Sequence, residues 1–338
     1  MAQDTTLPVR PFGRTDMRIT RVGFGSWAVG GDWAFGWGAQ DDRASVAAIR
    51  HAVERGINWI DTAAIYGLGH SEEVVAAALD GIPPSRRPYV FTKCGLVGDP
   101  ADPRQPPRRI GHPDSIRREV EASLRRLKLE RIDLYQMHWP AGDGTPLEAY
   151  WQTLLDLKRA GKIGAVGLSN HSAAQLEAAE ILGHVDTLQP PFSAIKRAVG
   201  AAELPWCAAH GTGVIVYSPM QAGLLTGRFT LARAKSLPAE DWRSKSAEFQ
   251  GEALQRNLKV AAAMGVVAER HRTSTAAVAV AWTLAWPGVT GAIVGARSAE
   301  QVDGWLDAAT LELTSTDMAE IAAAIELSSA GEGPSRPV

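Results

Sequence analysis

Cysteine is scarce in this chain. Cys94 and Cys207 stand far apart, with neither the even framework of a disulfide-stapled fold nor the spacing of a metal site. A reducing compartment is the default reading. Excess charge is missing too: 35 Lys and Arg face 37 Asp and Glu, for a net charge of −2. That argues against nucleic acid and against an anionic membrane as partners. No apolar run approaches the roughly 20 residues of a membrane span. The opening stretch MAQDTTLPVRPFG lacks the apolar core of a signal peptide. A soluble, cytoplasmic protein is expected. The glycine-rich dinucleotide turn of open α/β sheets is also absent, because Gly23-Phe24-Gly25 continues as Ser26-Trp27-Ala28.

What the chain does have is a long alternation. Its 338 residues, 45% hydrophobic, suffice for a large core. A turn at Phe12-Gly13-Arg14-Thr15-Asp16 between β-prone flanks reads as an N-terminal hairpin. Strand signals then fall at 22–27, 57–60, 89–92, 132–137, 163–168, 187–189, 214–217 and 291–294. Helical patterns occupy 42–55, 71–79, 114–127, 146–159, 173–181, 199–209, 258–270, 276–286 and 299–306. A further helix is expected over Thr316 to Ser328, capped by Ser315 or Thr316. Eight strand–helix units predict one α/β domain, a (β/α)8 TIM barrel, with a long loop at 226–256 after strand seven and extra C-terminal helices. Residues 330–338 read as a disordered tail.

In such barrels the strands' C-terminal ends carry the chemistry. Strand two ends at Asp61, strand three at Lys93 and strand four at His138, with Tyr66 in the loop after strand two. A charge at the end of a hydrophobic strand needs a partner. An Asp61–Lys93 pair would keep the lysine charged, and a nearby ammonium would lower the Tyr66 phenol from about 10. Tyr66 would then serve as a general acid, with His138 orienting the same oxygen. This is equipment for carbonyl reduction if a hydride donor lies opposite. Trp27, Trp33, Trp37 and Trp139 fall at the same rim and suggest an aromatic pocket.

The chain resembles the aldo-keto reductase superfamily. The resemblance is carried by Gly56 to Ala63 (GINWIDTA), Tyr66-Gly67, Lys93, His138-Trp139-Pro140, Gly167 to Asn170 (GLSN) and Gln189 to Phe192 (QPPF). It continues with Tyr217-Ser218-Pro219, Gly223 to Gly227 (GLLTG), and Gly295-Ala296-Arg297 with Gln301. Gly30 to Trp33 and the Gln-Pro-Pro segment are similar to bacterial general-stress-type reductases. The resemblance implies a catalytic tetrad of Asp61, Tyr66, Lys93 and His138, and NADP(H) as cofactor. It implies that Ser169, Asn170 and Gln189 hold the nicotinamide amide beside Gly25, Ser26, Trp27 and Asp61, with Phe192 stacked on the ring. It places Tyr217, Ser218, Pro219, Met220, Gln221, Gly223 and Arg228 along the pyrophosphate. Gly295, Arg297 and Gln301 fall at the adenosine. From their place at the aromatic rim, Trp27, Trp33, Tyr66, His138 and Trp139 are expected at the substrate. The implied partner is a small carbonyl compound, with no metal. The chain is expected to be a monomer or small homo-oligomer. Two alternatives stay open: a Schiff-base lyase using Lys93, and a redox-sensing regulatory subunit of the same fold with slow turnover.

Overall fold

The computed structural model describes residues 7–238 and 241–337. Strands β1 (Val9–Pro11) and β2 (Arg18–Thr20) form the antiparallel hairpin, with Val9 opposite Thr20. Phe12 at its turn is fully buried. Gly13 adopts φ 57 there, and an added Cβ would lie 2.5 Å from the backbone nitrogen of Gly213, so only glycine fits.

The barrel strands are β3 (Val22–Gly25), β4 (Trp59–Asp61), β5 (Tyr89–Cys94), β8 (Ile132–Met137), β9 (Ile163–Ser169), β10 (Thr187–Gln189), β11 (Gly213–Val216) and β12 (Gly291–Gly295). They close in one parallel ring in chain order, with β12 back against β3. Between β5 and β8, the short strands β6 (Leu96–Val97) and β7 (Arg108–Arg109) pair antiparallel. This hairpin was not legible in the sequence, because two-residue strands carry no periodicity.

Helices α1 (Asp42–Glu54), α2 (His70–Leu79), α3 (Pro113–Leu127), α4 (Leu147–Arg159), α5 (Ala173–Leu182) and α6 (Glu203–His210) alternate with the strands. Their starts carry the expected chemistry. Asp41 caps α1, and Ser172 forms a reciprocal capping box with Gln175 at α5. After β11, the stretch expected as a loop over 226–256 holds α7 (Leu231–Lys235) and two single 3₁₀ turns, Trp242–Lys245 and Ala247–Phe249, and ends early, because the next helix starts at Gly251 and not at 258. Then come α8 (Gly251–His271), α9 (Thr275–Leu284), α10 (Ala299–Leu306) and α11 (Ser315–Ser328).

Three further expectations are corrected. The sixth helix begins at Glu203, preceded by a separate 3₁₀ turn at Ala198–Gly200. The cap of α11 is Thr314, because Asp317 three residues on completes a capping box. The C-terminal stretch is held rather than disordered: the buried Arg197 guanidinium donates to the carbonyls of Ala330, Gly333 and Pro334, and Ala330 is itself buried. Val338 lies outside the described residues. A guanidinium offers five donors, and a low-complexity sequence does not announce that its carbonyls will satisfy them.

Candidate active site

Strand alternation selects what faces the barrel interior. Trp59 and Asp61 are two residues apart on β4, so both point inward, and so do Phe91 and Lys93 on β5. The carboxylate of Asp61 accepts from Lys93 Nζ at 2.6 Å and from Gln189 Nε2 at 2.8 Å. Lys93 Nζ also donates to the Thr62 carbonyl at 2.9 Å. The ammonium lies 5.2 Å from the centre of the Tyr66 ring. His138 meets that ring edge to face, with centroids 5.8 Å apart.

Burial dominates the electrostatics. It pushes Asp61 up and Lys93 down, and their mutual contact opposes both shifts. Burial also drives Tyr66 well above the ordinary phenol value, with Asp61 adding to it. The expected lowering of Tyr66 is therefore overturned. The lysine charge is offset by the carboxylate it touches, and desolvation of a phenolate outweighs what remains. Tyr66 keeps its proton. His138 is pushed well below the imidazole range, first by burial and then by Lys93, so its ring is neutral. The set is a protonated phenol and a neutral imidazole at the mouth of a cavity, above a buried ion pair.

That cavity has a volume of about 1000 Å³. At one end it is walled by Trp27, Trp33, Phe35, Leu96, Pro106 and Trp139, and at the other by Arg228, Arg297, Gln301 and Trp305. Asn170 stands between: its amide donates to the His138 carbonyl at 3.0 Å and accepts from the Tyr217 hydroxyl at 2.7 Å. The backbone at Ser218, Gln221 and Ala222 has φ of 57, 44 and 49, and Gly223 has φ 94. Left-handed residues clustered in one loop are a costly shape, kept at ligand sites. A model of the Aldo/keto reductase family matches residues 21–326.

The chain belongs to this aldo/keto reductase family. It is 32% identical to Aldo-keto reductase YhdN of Bacillus subtilis over 313 residues, 92% of each chain. It is 34% identical to the NADH-specific methylglyoxal reductase of Escherichia coli over 328 residues, covering 94% of this chain and 98% of that one. The solved structure of the glycerol dehydrogenase AKR11B4 from Gluconobacter oxydans superposes with a TM-score of 0.87 at 36% identity, covering 100% of this chain and 99% of the other.

In this family member most of the residues singled out in the sequence converge on the cavity. Gly25, Trp27, Trp33, Asp61, Tyr66, His138, Trp139, Asn170 and Gln189 line it. Tyr217, Ser218, Pro219, Met220, Gly223, Arg228, Gly295, Arg297 and Gln301 continue the wall. Five others do not reach it. Lys93 sits beneath, bonded to Asp61. Ser26 is buried, its hydroxyl spent on the Asp61 carbonyl and Ser71. Ser169 gives its hydroxyl to the Gln189 carbonyl and accepts from Asn170. Gln221 is buried between Ser193 and Glu248.

Phe192 is the clearest correction. It is fully buried, stacked on Trp282 at 5.5 Å and edge-on to Trp286 at 5.0 Å. It belongs to the layer between barrel and helices and presents no face to the cavity. The aromatic residue at the wall near Asn170 is Tyr217, which the resemblance had assigned to the pyrophosphate. Sequence reasoning also missed Trp242, Arg243, Arg109 and Glu300, all of which line the cavity. Trp242 packs 6.2 Å from Trp27 and 6.0 Å from Trp37. Its one advance signal was the length of the polar loop that carries it. Among the described residues no helix is long and apolar enough to cross a membrane, and no group of three His, Cys, Asp or Glu is placed to hold a metal.

Proposed function

We propose that this chain reduces aldehydes or ketones to alcohols, and runs the reverse reaction, with NADP(H) as cofactor. The observation that carries the reading is the buried Asp61–Lys93 pair directly under Tyr66 and His138. The wall chemistry fits a nicotinamide dinucleotide. Amides at Asn170 and Gln189 suit a carboxamide, the Tyr217 ring suits stacking, and Arg228 and Arg297 suit phosphates. Gly25 and Gly295 are register partners across β3 and β12, and a Cβ added at Gly295 would meet only the Gly25 carbonyl, at 3.6 Å. They leave bare backbone where a flat group can lie. When bound there, the nicotinamide would supply hydride to the carbonyl carbon.

The rest is the work of this chain's side chains. As the carbonyl π electrons move onto oxygen, Tyr66 gives that oxygen its phenol proton. The neutral His138 ring donates a hydrogen bond to the same oxygen and fixes its position. The ammonium of Lys93 stabilises the phenolate left behind, and Asp61 with the Thr62 carbonyl holds Lys93 in place. Gln189 holds Asp61, and Asn170 ties the His138 backbone to Tyr217. The surrounding indoles exclude water, which strengthens each of these interactions. A Schiff-base role for Lys93 finds no support: its side chain has no exposure and its amine is committed to Asp61 and Thr62.

For the 2′-phosphate, the support is Arg297. Its exposed guanidinium stands at the cavity wall just before α10, and its fork geometry suits a phosphate. A second reading, NADH, is favoured by Glu300 on the same wall, a carboxylate able to accept from a ribose hydroxyl, and by the NADH-specific name of one relative. Dissociation constants for both cofactors decide. Arg297→Ala is expected to weaken NADPH about 10- to 100-fold, the loss of a charge-assisted contact of roughly 1.5–3 kcal/mol. NADH should change little, and Arg228→Ala should weaken both. Equal weakening by Arg297→Ala would remove the basis for the NADPH assignment.

A further inference from the structure

Among the described residues two arginines reach the indole-lined end of the cavity, Arg243 over Trp37 and Arg109. Arg109 arrives on β7, the short strand paired with Leu96–Val97. Its guanidinium carbon lies 4.5 Å from the centre of the Trp139 ring. Trp139 directly follows His138, whose ring is in contact with Tyr66. Around them that end is apolar: Phe35, Ile65, Leu96, Pro106 and Pro107 line it. Among the described residues no hydrogen bond or ion pair engages the Arg109 side chain. The other arginines on the wall differ. Arg243 is held by both carboxylate oxygens of Asp241, and Arg228 and Arg297 stand with the elements that follow β11 and β12. The acids of the cavity are Asp61, committed to Lys93 and Gln189, and Glu300 near Arg297.

A guanidinium held over an indole face still has N–H donors to offer a ligand. The contact with the indole restrains the side chain, so less freedom is lost when an anion binds it. Arg109 is exposed, so this contact is made at the solvent-facing mouth of the cavity, with the apolar wall on its inner side. We propose that Arg109 binds a carboxylate or phosphate on the substrate, so that the preferred substrates are aldehydes or ketones carrying a negative charge away from the carbonyl. This rests on the carbonyl-reduction reading above and narrows its substrate class.

Matched pairs test it: succinic semialdehyde against butanal, and glyceraldehyde 3-phosphate against glyceraldehyde. The wild-type protein should favour at least one anionic member by about tenfold or more in kcat/KM, and the two pairs distinguish carboxylate from phosphate. Arg109→Met should collapse that ratio through KM, while Arg109→Lys retains part of it. A wild-type ratio near one in both pairs, or a ratio that survives in Arg109→Met, overturns the proposal. Titration of tryptophan fluorescence with succinate and with inorganic phosphate reads the same site without turnover. Saturable quenching lost in Arg109→Met supports the anion site even if no carbonyl is reduced with either cofactor, an outcome that would sink only the parent reading. Quenching absent from the wild type, or unaltered in Arg109→Met, overturns the anion site itself.

Discussion

The floor and the rim of this barrel are built from the same strands, one layer apart. Trp59, Phe91, Leu134, Ala165, Ile215 and Ile293 form an apolar cluster inside the barrel, closed below by Phe12, Met17 and Ile19 of the hairpin. Phe12 lies 5.7 Å from Phe91 and Trp59 lies 5.4 Å from it. Two residues further along the chain, on the same inward faces, stand Asp61, Lys93, Gln136 and Gly167, with Tyr217 and Gly295 beyond β11 and at the end of β12. The lower layer is apolar, and its one indole N–H, that of Trp59, donates to the Thr20 carbonyl at 2.9 Å. The upper layer is equally buried at Asp61 and Lys93 but polar, so every charge there must be paired. A two-residue step along a strand thus separates the layer that holds the barrel closed from the layer to which the proposed chemistry is assigned.

The sharpest way to break this division is Tyr66→Phe. It removes only a hydroxyl at the mouth, and is expected to cut carbonyl turnover by roughly two to four orders of magnitude, the range of a lost general acid. The melting temperature and the cofactor dissociation constant should stay near wild type. Turnover close to wild type would take Tyr66 out of the proposed mechanism.

Trp59→Ala is the converse. Emptying a fully buried indole site should cost about 3–5 kcal/mol of stability by denaturant titration. The fraction that stays folded should still bind the cofactor. An equally large loss of affinity would show that floor and rim are not separable.

The ion pair of the upper layer is graded. Lys93→Met should abolish most activity, because the phenolate loses its ammonium. Asp61→Asn should lose less, because Gln189 and the Thr62 carbonyl still constrain the site. Each leaves a buried charge without its partner, costing about 3–5 kcal/mol. The double variant should be less destabilised than the sum of the two. Additive losses in a double-mutant cycle, or Asp61→Asn proving the more damaging at the chemical step, would overturn this ordering.

The smallest expected effect lies outside the barrel. Glu119 on α3 accepts from the Gly95 amide at 2.8 Å and from the Ser115 hydroxyl at 2.9 Å, and burial raises it to about 7. The folded state then holds a proton that the unfolded state has released, between the ordinary glutamate value of about 4.3 and about 7. Stability should fall as pH rises through that window, by up to about 3 kcal/mol. Glu119→Gln should flatten the curve there. An unaltered slope in urea titrations at pH 5 and 7.5 would assign the pH dependence elsewhere.

Much of this was legible before any coordinates. The eight strands, their order and the positions of Asp61, Lys93 and His138 follow from buried runs and from the rule that barrel chemistry sits at strand ends. Asp61 itself announced a partner, because a carboxylate closing an apolar strand is untenable alone. Such signals are local: burial of a run and the period of a helix are properties of neighbouring residues. Contacts between distant segments leave no such trace. Phe192 looked like a stacking ring because it sits beside the cofactor motif, yet the packing of α9 turned it toward Trp282. Tyr66 looked acidified because one cation was near, yet its ionisation depends on the sum of burial and two opposed charges. Arg109 and Trp242 were surface-like residues in irregular segments until folding laid them on the cavity wall. The sequence by itself determined the barrel and the composition of its rim. Which side chains face the cavity, and in which protonation state, was decided by tertiary structure, because orientation and desolvation are set by atoms dozens of residues away.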